Sequence, residues 1–191
     1  MTDTAAAQAG VRALLLGIGE NPDRPGLKET PRRVAKALID FTTPTGPSPQ
    51  ELLAVTFNDA DPAPDQMITV GPIEFASLCE HHLLPFTGHA YVGYIPGAAG
   101  AVVGLSKLAR LVDWYAHGLQ IQERLTAQVT GAIDKYLDTL GSACTIHSSH
   151  SCMTSRGAHK PGAIMRTTSL TGAFRDQDAT RAEFLAHTRC C

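Results

Sequence analysis

Two short segments rich in cysteine and histidine, far apart in the chain, most strongly constrain its fold. The first is Cys79-Glu80-His81-His82 and the second is His150-Ser151-Cys152. Together they offer two thiols and three imidazoles, which are the side chains that zinc prefers. A fold in which both segments bind one metal must bring them together. Two thiolates and one histidine leave the fourth position of a tetrahedral zinc open for water, which is typical of catalytic sites.

The spacing within each segment leaves the choice of ligands open. Cys79 and His82 lie three residues apart, and in a turning segment both side chains can reach one ion. One cysteine and one histidine at this spacing are weak evidence for a metal site, since a buried cysteine beside a surface histidine gives the same pattern. If residues 144–152 form a strand, His150 and Cys152 point to the same face. Either of them can then be a ligand, with the other close to the metal.

Composition and charge exclude several classes of function. The chain has 191 residues, of which 43% are hydrophobic, and a formal net charge of -2. This length suits one domain with a sizeable core, and the charge gives no reason to expect binding to nucleic acid or to a membrane. Neither a membrane span nor a secretory signal is predicted. A cytoplasmic location is expected, and five cysteines, an odd number, favour metal binding over a disulfide framework.

Helical and strand patterns follow one another in an order that predicts an α+β fold. Helices are predicted at about 5–17, at 30–41 with Thr30 as N-cap, at 106–116 with Ser106 as cap, at 120–140 ending at Gly141, and at 178–187. Strands are predicted at 67–78, 89–95, 101–103, 144–152 and 164–174.

Two polar clusters suit a nucleotide, although spacing alone favours solvated surface positions for both. One is basic: Ser106, Lys107 and Arg110 lie at the start of a predicted helix, where exposed backbone N–H groups add to the attraction for an anion. Arg33, Lys36 and Arg156 extend this set if the fold brings them together. The other is Gln122-Glu123, where a carboxylate can accept two N–H bonds from the edge of a guanine.

Six segments in order give the chain a close resemblance to the GTP cyclohydrolase I family, the zinc enzymes that open folate biosynthesis. The resemblance covers residues 19–187. Its segments are Thr30-Pro-Arg-Arg-Val-Ala-Lys36, Ser77-Leu-Cys-Glu-His-His-Leu-Leu-Pro-Phe86, Gly104-Leu-Ser-Lys-Leu-Ala-Arg110, Gln120-Ile-Gln-Glu-Arg-Leu125, His150-Ser-Cys-Met-Thr-Ser-Arg-Gly157 and Thr180-Arg-Ala-Glu-Phe-Leu185.

The resemblance implies an activity and a role for each matching residue. The activity is hydrolysis and rearrangement of GTP to 7,8-dihydroneopterin triphosphate with release of formate. The implied zinc ligands are Cys79, His82 and Cys152; the catalytic histidines are His81 and His150; the guanine-binding pair is Gln122 and Glu123; the triphosphate contacts are Ser106, Lys107, Arg110, Arg156, Arg33 and Lys36.

The resemblance also implies an architecture. It is the tunnelling fold, an antiparallel sheet with helices packed on one side, whose sheets join across subunits into a barrel. The expected division is an N-terminal helical region at 1–42 and a catalytic domain at 43–191. The expected assembly is a homodecamer of two face-to-face pentamers with active sites at subunit interfaces. His117-Gly118 departs from the family pattern, since many members carry an Arg-Arg pair here, or an Arg-Pro pair one place later.

Three other functions fit parts of the pattern. A specialised cyclohydrolase that feeds a deazapurine or another pterin-derived product would carry out the same first step. Other tunnelling-fold enzymes use three histidines on zinc or a cysteine nucleophile without metal, and the set Cys79, His82 and Cys152 argues against both. A zinc-stabilised binding protein without turnover would not be expected to retain His81, His150 and Glu123 together.

Overall fold

The computed structural model describes residues 2–57 and 66–189 and divides the chain into two units, Met1–Thr43 and Pro44–Cys191. Its helices are α1 (Thr4–Gly17), α2 (Thr30–Thr42), α3 (Pro49–Leu53), α4 (Leu105–Ala116), α5 (Gln122–Tyr136), α6 (Ser151–Thr154), α7 (Gly172–Asp176) and α8 (Asp178–His187). Its strands are β1 (Thr56–Phe57), β2 (Ile68–Cys79), β3 (Pro85–Pro96), β4 (Val102–Val103), β5 (Leu119–Gln120), β6 (Thr139–His150) and β7 (Met165–Leu170). Within these described residues, no helix combines the length and the apolar character that crossing a membrane requires.

The N-terminal unit is a pair of helices, α1 and α2, that pack on each other. Asp3 caps α1 by accepting a hydrogen bond of 2.9 Å from the backbone N–H of Ala6. The predicted cap of α2 is wrong by one residue: Glu29 occupies the N-cap position without a side-chain bond, and Thr30 is already helical. The following Pro31 is tolerated because the first turn of a helix has no internal partner for its backbone nitrogens.

The second unit is built on a five-stranded sheet in the order β5-β2-β3-β6-β7. Its neighbours pair antiparallel except for the short parallel contact between β5 and β2. The α+β class and the antiparallel sheet predicted from the sequence are therefore confirmed. The predicted strand at 101–103 exists as β4, but it pairs with β1 in a separate two-stranded sheet.

The main core lies between one face of this sheet and the helices α4 and α5, which confirms the predicted helical layer. Leu108 and Leu111 of α4 and Leu125, Val129 and Ile133 of α5 are fully buried, as their spacing of three to four residues requires. A smaller cluster joins Phe174 of α7 and Phe184 of α8 to Tyr91 and Ala143. These two sheet residues alternate with those of the main core.

The predicted boundaries are wrong at both ends of β6, where a helix meets a strand. The long helix ends at Tyr136 instead of continuing to Leu140, because Thr139 already begins β6. Gly141 therefore lies inside a strand and does not end the helix. At its other end β6 stops at His150, and Cys152 belongs to the short helix α6.

Two glycines give opposite stability predictions. A Cβ on Gly88 would overlap the carbonyl oxygen of His147 on the neighbouring strand, so Gly88→Ala forces the two backbones apart. We expect a loss of about 1–3 kcal/mol in the free energy of unfolding. Gly131, inside α5, has no atom within 4 Å of the place that a Cβ would occupy, so Gly131→Ala is the matched control and should gain about 0.5–1 kcal/mol. Denaturant unfolding of both variants checks the contrast, and equal changes would contradict it.

Candidate metal centre and active site

The first ligand segment is a tight turn between β2 and β3. Cys79 is the last residue of β2, and its carbonyl accepts hydrogen bonds from the backbone N–H groups of His82 (3.3 Å) and Leu83 (2.9 Å). The Cys79 N–H in turn donates to the Leu84 carbonyl at 2.9 Å. Leu83 has a φ of 53°, which reverses the chain and lets the next strand begin at Pro85. The turn therefore folds His82 back toward Cys79.

The second ligand segment reaches the same place through the sheet. Strand β3 lies between β2 and β6, with Phe86 opposite both Ser77 and His150. The end of β6 therefore comes beside the end of β2. The prediction that residues 150 and 152 share a strand face is wrong, because the chain turns into α6 directly after His150. This turn places Cys152 near Cys79.

The geometry of Cys79, His82 and Cys152 fits a metal ion. One ligand atom from each residue lies within 4.8 Å of the others, and Cys79 Sγ lies 4.0 Å from His82 Nδ1. Tetrahedral zinc with ordinary bond lengths requires ligand separations of roughly 3.6–3.8 Å. Small side-chain movements close this gap, and the three residues can hold the ion while leaving one position open.

The electrostatics of the two thiols favour a cation between them. The pKa of the Cys152 thiol is raised above its ordinary value, first by burial and then by the neighbouring Cys79. Two adjacent thiolates repel each other in a partly buried site, and a divalent ion removes that repulsion. Paired thiolates with one imidazole suit zinc better than the harder divalent metals.

His150 is held firmly beside this cluster. Its ring stacks on Phe86 with a centroid distance of 4.5 Å and an interplanar angle of 1°. Its Nε2 lies 2.9 Å from Oε1 of Gln122. Burial lowers the pKa of His150, while the charge of Glu123 acts to raise it. A half-buried imidazole next to a metal site is suited to proton transfer.

His81 lies on the open side of the same turn. Its side chain is 63% exposed, and its Nδ1 is 3.8 Å from Cys79 Sγ. Its Nε2 lies 3.9 Å from Oε1 of Glu80. The other carboxylate oxygen of Glu80, Oε2, forms a 2.6 Å ion pair with Arg124 of α5. This ion pair ties the turn to the start of α5. His81 is therefore placed near the cluster, with room to approach a ligand.

Glu123 opens the first turn of α5 and borders a cavity of about 650 Å³. Thr126, Thr167 and two arginines, Arg175 and Arg181, line the same cavity. Glu123 is exposed and close enough to His150 to influence its pKa. Its neighbour Gln122, by contrast, is buried with its side chain pointing into the protein. The structure thus separates the two residues that were predicted to bind guanine together.

The basic residues predicted to contact the triphosphate lie on α2, on α4 and just after α6. Arg156 lies near Cys152, since its charge acts to lower the pKa of that thiol against the larger raising effects of burial and Cys79. Ser106 and Lys107 occupy the first turn of α4, and Arg110 borders a different cavity of about 320 Å³ with Trp114 and His117. Within the described residues, no hydrogen bond or ion pair joins these three to the metal cluster. Arg33 and Lys36 are exposed on α2 of the N-terminal unit, where Lys36 pairs with Asp40 at 2.5 Å.

Three contacts at the site were not foreseen. Phe86 stacks on His150, Ser148 donates to Oε1 of Gln122 at 2.6 Å, and Arg124 pairs with Glu80. Phe86 lies in one of the six segments that resemble the family, but its contact with His150 depends on the register between β3 and β6. The sequence could have indicated Ser148, because residues 148 and 150 of one strand share a face.

A two-thiol, one-imidazole cluster with further histidines beside it is the arrangement of a catalytic metal site on an α+β fold. Comparison with known proteins agrees with this class. The family model described as GTP cyclohydrolase I matches residues 7–189. A GTP cyclohydrolase 1 from Mycolicibacterium vanbaalenii is 48% identical over 183 residues, covering 96% of this chain and 89% of the relative. One from Gloeobacter violaceus is 49% identical over 175 residues, covering 92% and 80%.

The chain therefore belongs to the GTP cyclohydrolase I family, as the sequence predicted, and it is an enzyme of the hydrolase class. A third relative, from Streptomyces griseus, is 47% identical over 184 residues, covering 96% of this chain and 90% of the relative. Among solved structures, an apo archaeosine synthase described as QueF-Like is a distant match. Its TM-score is 0.44 and its identity 16%, with coverage of 56% of this chain and 92% of that chain.

Proposed function

We propose that this protein converts GTP to 7,8-dihydroneopterin triphosphate and formate in a zinc-dependent reaction that begins pterin or folate biosynthesis. The observation that carries the proposal is the convergence of Cys79, His82 and Cys152 beside His81 and His150. The family membership supports GTP as the substrate. The cytoplasm, a reducing compartment, suits two free thiol ligands.

Zinc bound to these three residues would supply the Lewis acid that makes water nucleophilic near neutral pH. The residues around it handle protons. His150 would protonate the imidazole ring of guanine, which makes C8 electrophilic, and its stacking on Phe86 supports this role. His81, more exposed, is free to exchange protons with solvent as the ring opens. Two waters add at C8, which leaves as formate; the ribose then opens, rearranges and recloses on the pyrimidine amine with loss of one water.

Glu123 selects guanine in this proposal. Its carboxylate accepts the N1 and N2 hydrogens of guanine, which adenine does not present in the same way. Glu123 is exposed and lines a cavity, and its charge acts to raise the pKa of His150, which supports this role. A bound guanine would then lie between its specificity residue and its acid–base group.

The triphosphate would be bound by Arg156 together with Ser106, Lys107, Arg110, Arg33 and Lys36. In one chain Ser106, Lys107 and Arg110 make no hydrogen bond or ion pair with the metal cluster among the described residues. A homo-oligomer with sites at its interfaces, most simply a decamer whose sheets join into a barrel, would bring a neighbour's copies of these residues to the substrate. The 1–42 region and the 43–191 catalytic domain would then contribute to the same assembly.

The deciding experiment is incubation of the zinc-loaded protein with GTP, with ATP as the matched control. Formate and a fluorescent oxidised pterin triphosphate are expected from GTP alone. Formate without a pterin would mean that ring opening occurs and the ribose rearrangement does not. Neither product, with zinc still bound, would overturn the proposal in favour of a zinc-stabilised binding protein.

Replacement of Glu123 by alanine tests guanine selection. Removing a carboxylate that accepts two hydrogen bonds should lower kcat/KM for GTP by about 100-fold or more, since each charge-assisted bond is worth about 1.5–3 kcal/mol. Steady-state kinetics on GTP measure this effect. Glu183→Ala, which removes an exposed carboxylate from α8, is the control and should leave kcat/KM unchanged. Equal kinetics for the two variants would remove Glu123 from the site.

A further inference from the structure

The side chain of Gln122 uses all of its hydrogen-bonding capacity inside the protein. It is 1% exposed at the start of α5. Its Nε2 donates to the carbonyls of Ile146 (3.0 Å) and Met165 (3.2 Å) and lies 3.2 Å from Thr167 Oγ1. Its Oε1 accepts from Ser148 Oγ at 2.6 Å and faces His150 Nε2 at 2.9 Å. No capacity remains for a substrate unless one of these bonds breaks.

The direction of this amide is fixed by its surroundings. Carbonyl oxygens only accept hydrogen bonds, so Ile146 and Met165 require the NH₂ end of Gln122 to face them. The oxygen end therefore faces His150. A rotated amide would place its oxygen against two carbonyl oxygens, with which it cannot form hydrogen bonds. The neutral imidazole of His150 must then carry its proton on Nε2, which donates to Oε1.

Two neighbours together hold the His150 ring. Stacking on Phe86 fixes the plane of the ring, and the bond to Gln122 fixes its rotation within that plane. Within the described part of the chain, no other hydrogen bond involves this ring. Nδ1 is then the nitrogen left to exchange a proton with a substrate. Such an arrangement gives one ring nitrogen a structural task and the other a chemical one.

We infer that Gln122 is a positioning residue for His150, which sets the orientation and tautomer of the imidazole so that Nδ1 performs proton transfer. This inference rests on the proposed function, because it assumes that His150 transfers protons to or from GTP. It differs from the predicted contact between Gln122 and guanine. In this assignment Glu123 meets the base, and Gln122 acts through the histidine alone.

The test combines Gln122→Met, which keeps the side-chain length and removes the amide, with His150→Ala. In the zinc-loaded protein with GTP, Gln122→Met should lower kcat by about 10–100-fold, as the loss of an orienting partner does at other sites, and change KM by less than about threefold. In the His150→Ala background the same change should lower residual formate release by less than about threefold. Such non-additivity is expected of residues that act as one unit.

A binding measurement separates this role from guanine recognition. The dissociation constant of GTP for zinc-loaded His150→Ala should equal that for the double variant within about threefold. An increase of tenfold or more would show that Gln122 binds the substrate directly, and would overturn the inference. So would an unchanged kcat in Gln122→Met, or an equal loss of rate in both backgrounds. A wild-type protein that releases no formate would instead refute the proposed function.

Two further variants guard against a purely structural effect. Thr130→Val removes a different hydrogen bond of α5, the one between the Thr130 hydroxyl and Ser169 Oγ at 2.7 Å. Because this bond does not involve His150, the variant should keep kcat. If Gln122→Met fails to fold, Gln122→Asn takes its place. The amide of asparagine ends one methylene short of the glutamine amide, which withdraws its oxygen from His150, so the same loss of kcat and the same non-additivity are expected. Wild-type kcat in Gln122→Asn would overturn the inference.

Discussion

Replacement of Cys152 by alanine should abolish zinc binding and formate release together. Cys152 supplies one of two thiols in a three-residue cluster whose ligand atoms lie within 4.8 Å of one another. Loss of a residue that hydrogen-bonds to a metal ligand already costs about 10–100-fold in metal affinity or activity, and loss of the ligand itself should cost more. Zinc per subunit, measured by mass spectrometry after dialysis, and formate release from GTP are the two measurements.

Cys144→Ala is the matched control for this experiment. Cys144 is fully buried in the core, and burial raises the pKa of its thiol, so it remains a protonated apolar group. Its loss should leave zinc content and activity unchanged at a small cost in stability. A Cys152→Ala protein that retained full activity would show that the metal assignment is wrong, and parallel losses in both variants would indicate misfolding instead.

Replacement of His150 by alanine should keep zinc and slow the reaction severely. His150 is not among the three residues that meet at the metal position, so the cluster survives. General acid–base catalysis typically contributes about 10²–10⁴-fold in rate, and we expect a loss of kcat in that range. Chromatography of the reaction mixture should reveal accumulation of a ring-opened form of GTP.

The control here is His187→Ala, which removes an exposed histidine from the last turn of α8. It should show wild-type kinetics. Turnover by His150→Ala at the wild-type rate would remove this histidine from the mechanism. Loss of zinc in the same variant would instead assign His150 to the metal, an alternative that spacing alone left open.

Local sequence patterns predicted the fold class and most elements because they report burial directly. Leu125, Val129 and Ile133 recur at helical spacing, and all three are buried against the sheet. Predicted boundaries were wrong where a helical pattern runs into a strand pattern. The segment Tyr136-Leu-Asp-Thr139 contains no glycine or proline that would end a helix, and the strand pairing of β6 with β3 ends the helix earlier than periodicity suggests.

The sequence identified the candidate site residues because they lie in short segments that resemble the family. Their contacts, however, depend on the register of the strands. Nothing in the local sequence states that Phe86 lies opposite His150, or that Gln122 reaches the carbonyls of two strands. Such contacts arise only once the sheet has formed. The partners of Ser106 and Lys107 could not be predicted from the sequence, because in the proposed homo-oligomer they would come from a neighbouring subunit.

The position of the site at the ends of β2, β3 and β6 has a consequence for motion. These strands form the middle of the sheet, whereas β7 lies at an edge and pairs with β6 alone. Local opening in proteins begins at edges and termini, and central strands open only when the whole domain unfolds. Backbone amides in the paired parts of β2, β3 and β6 should therefore exchange with deuterium more slowly than those of β7. The candidate site would thus be supported by strands that stay paired through fluctuations that expose the edge of the sheet.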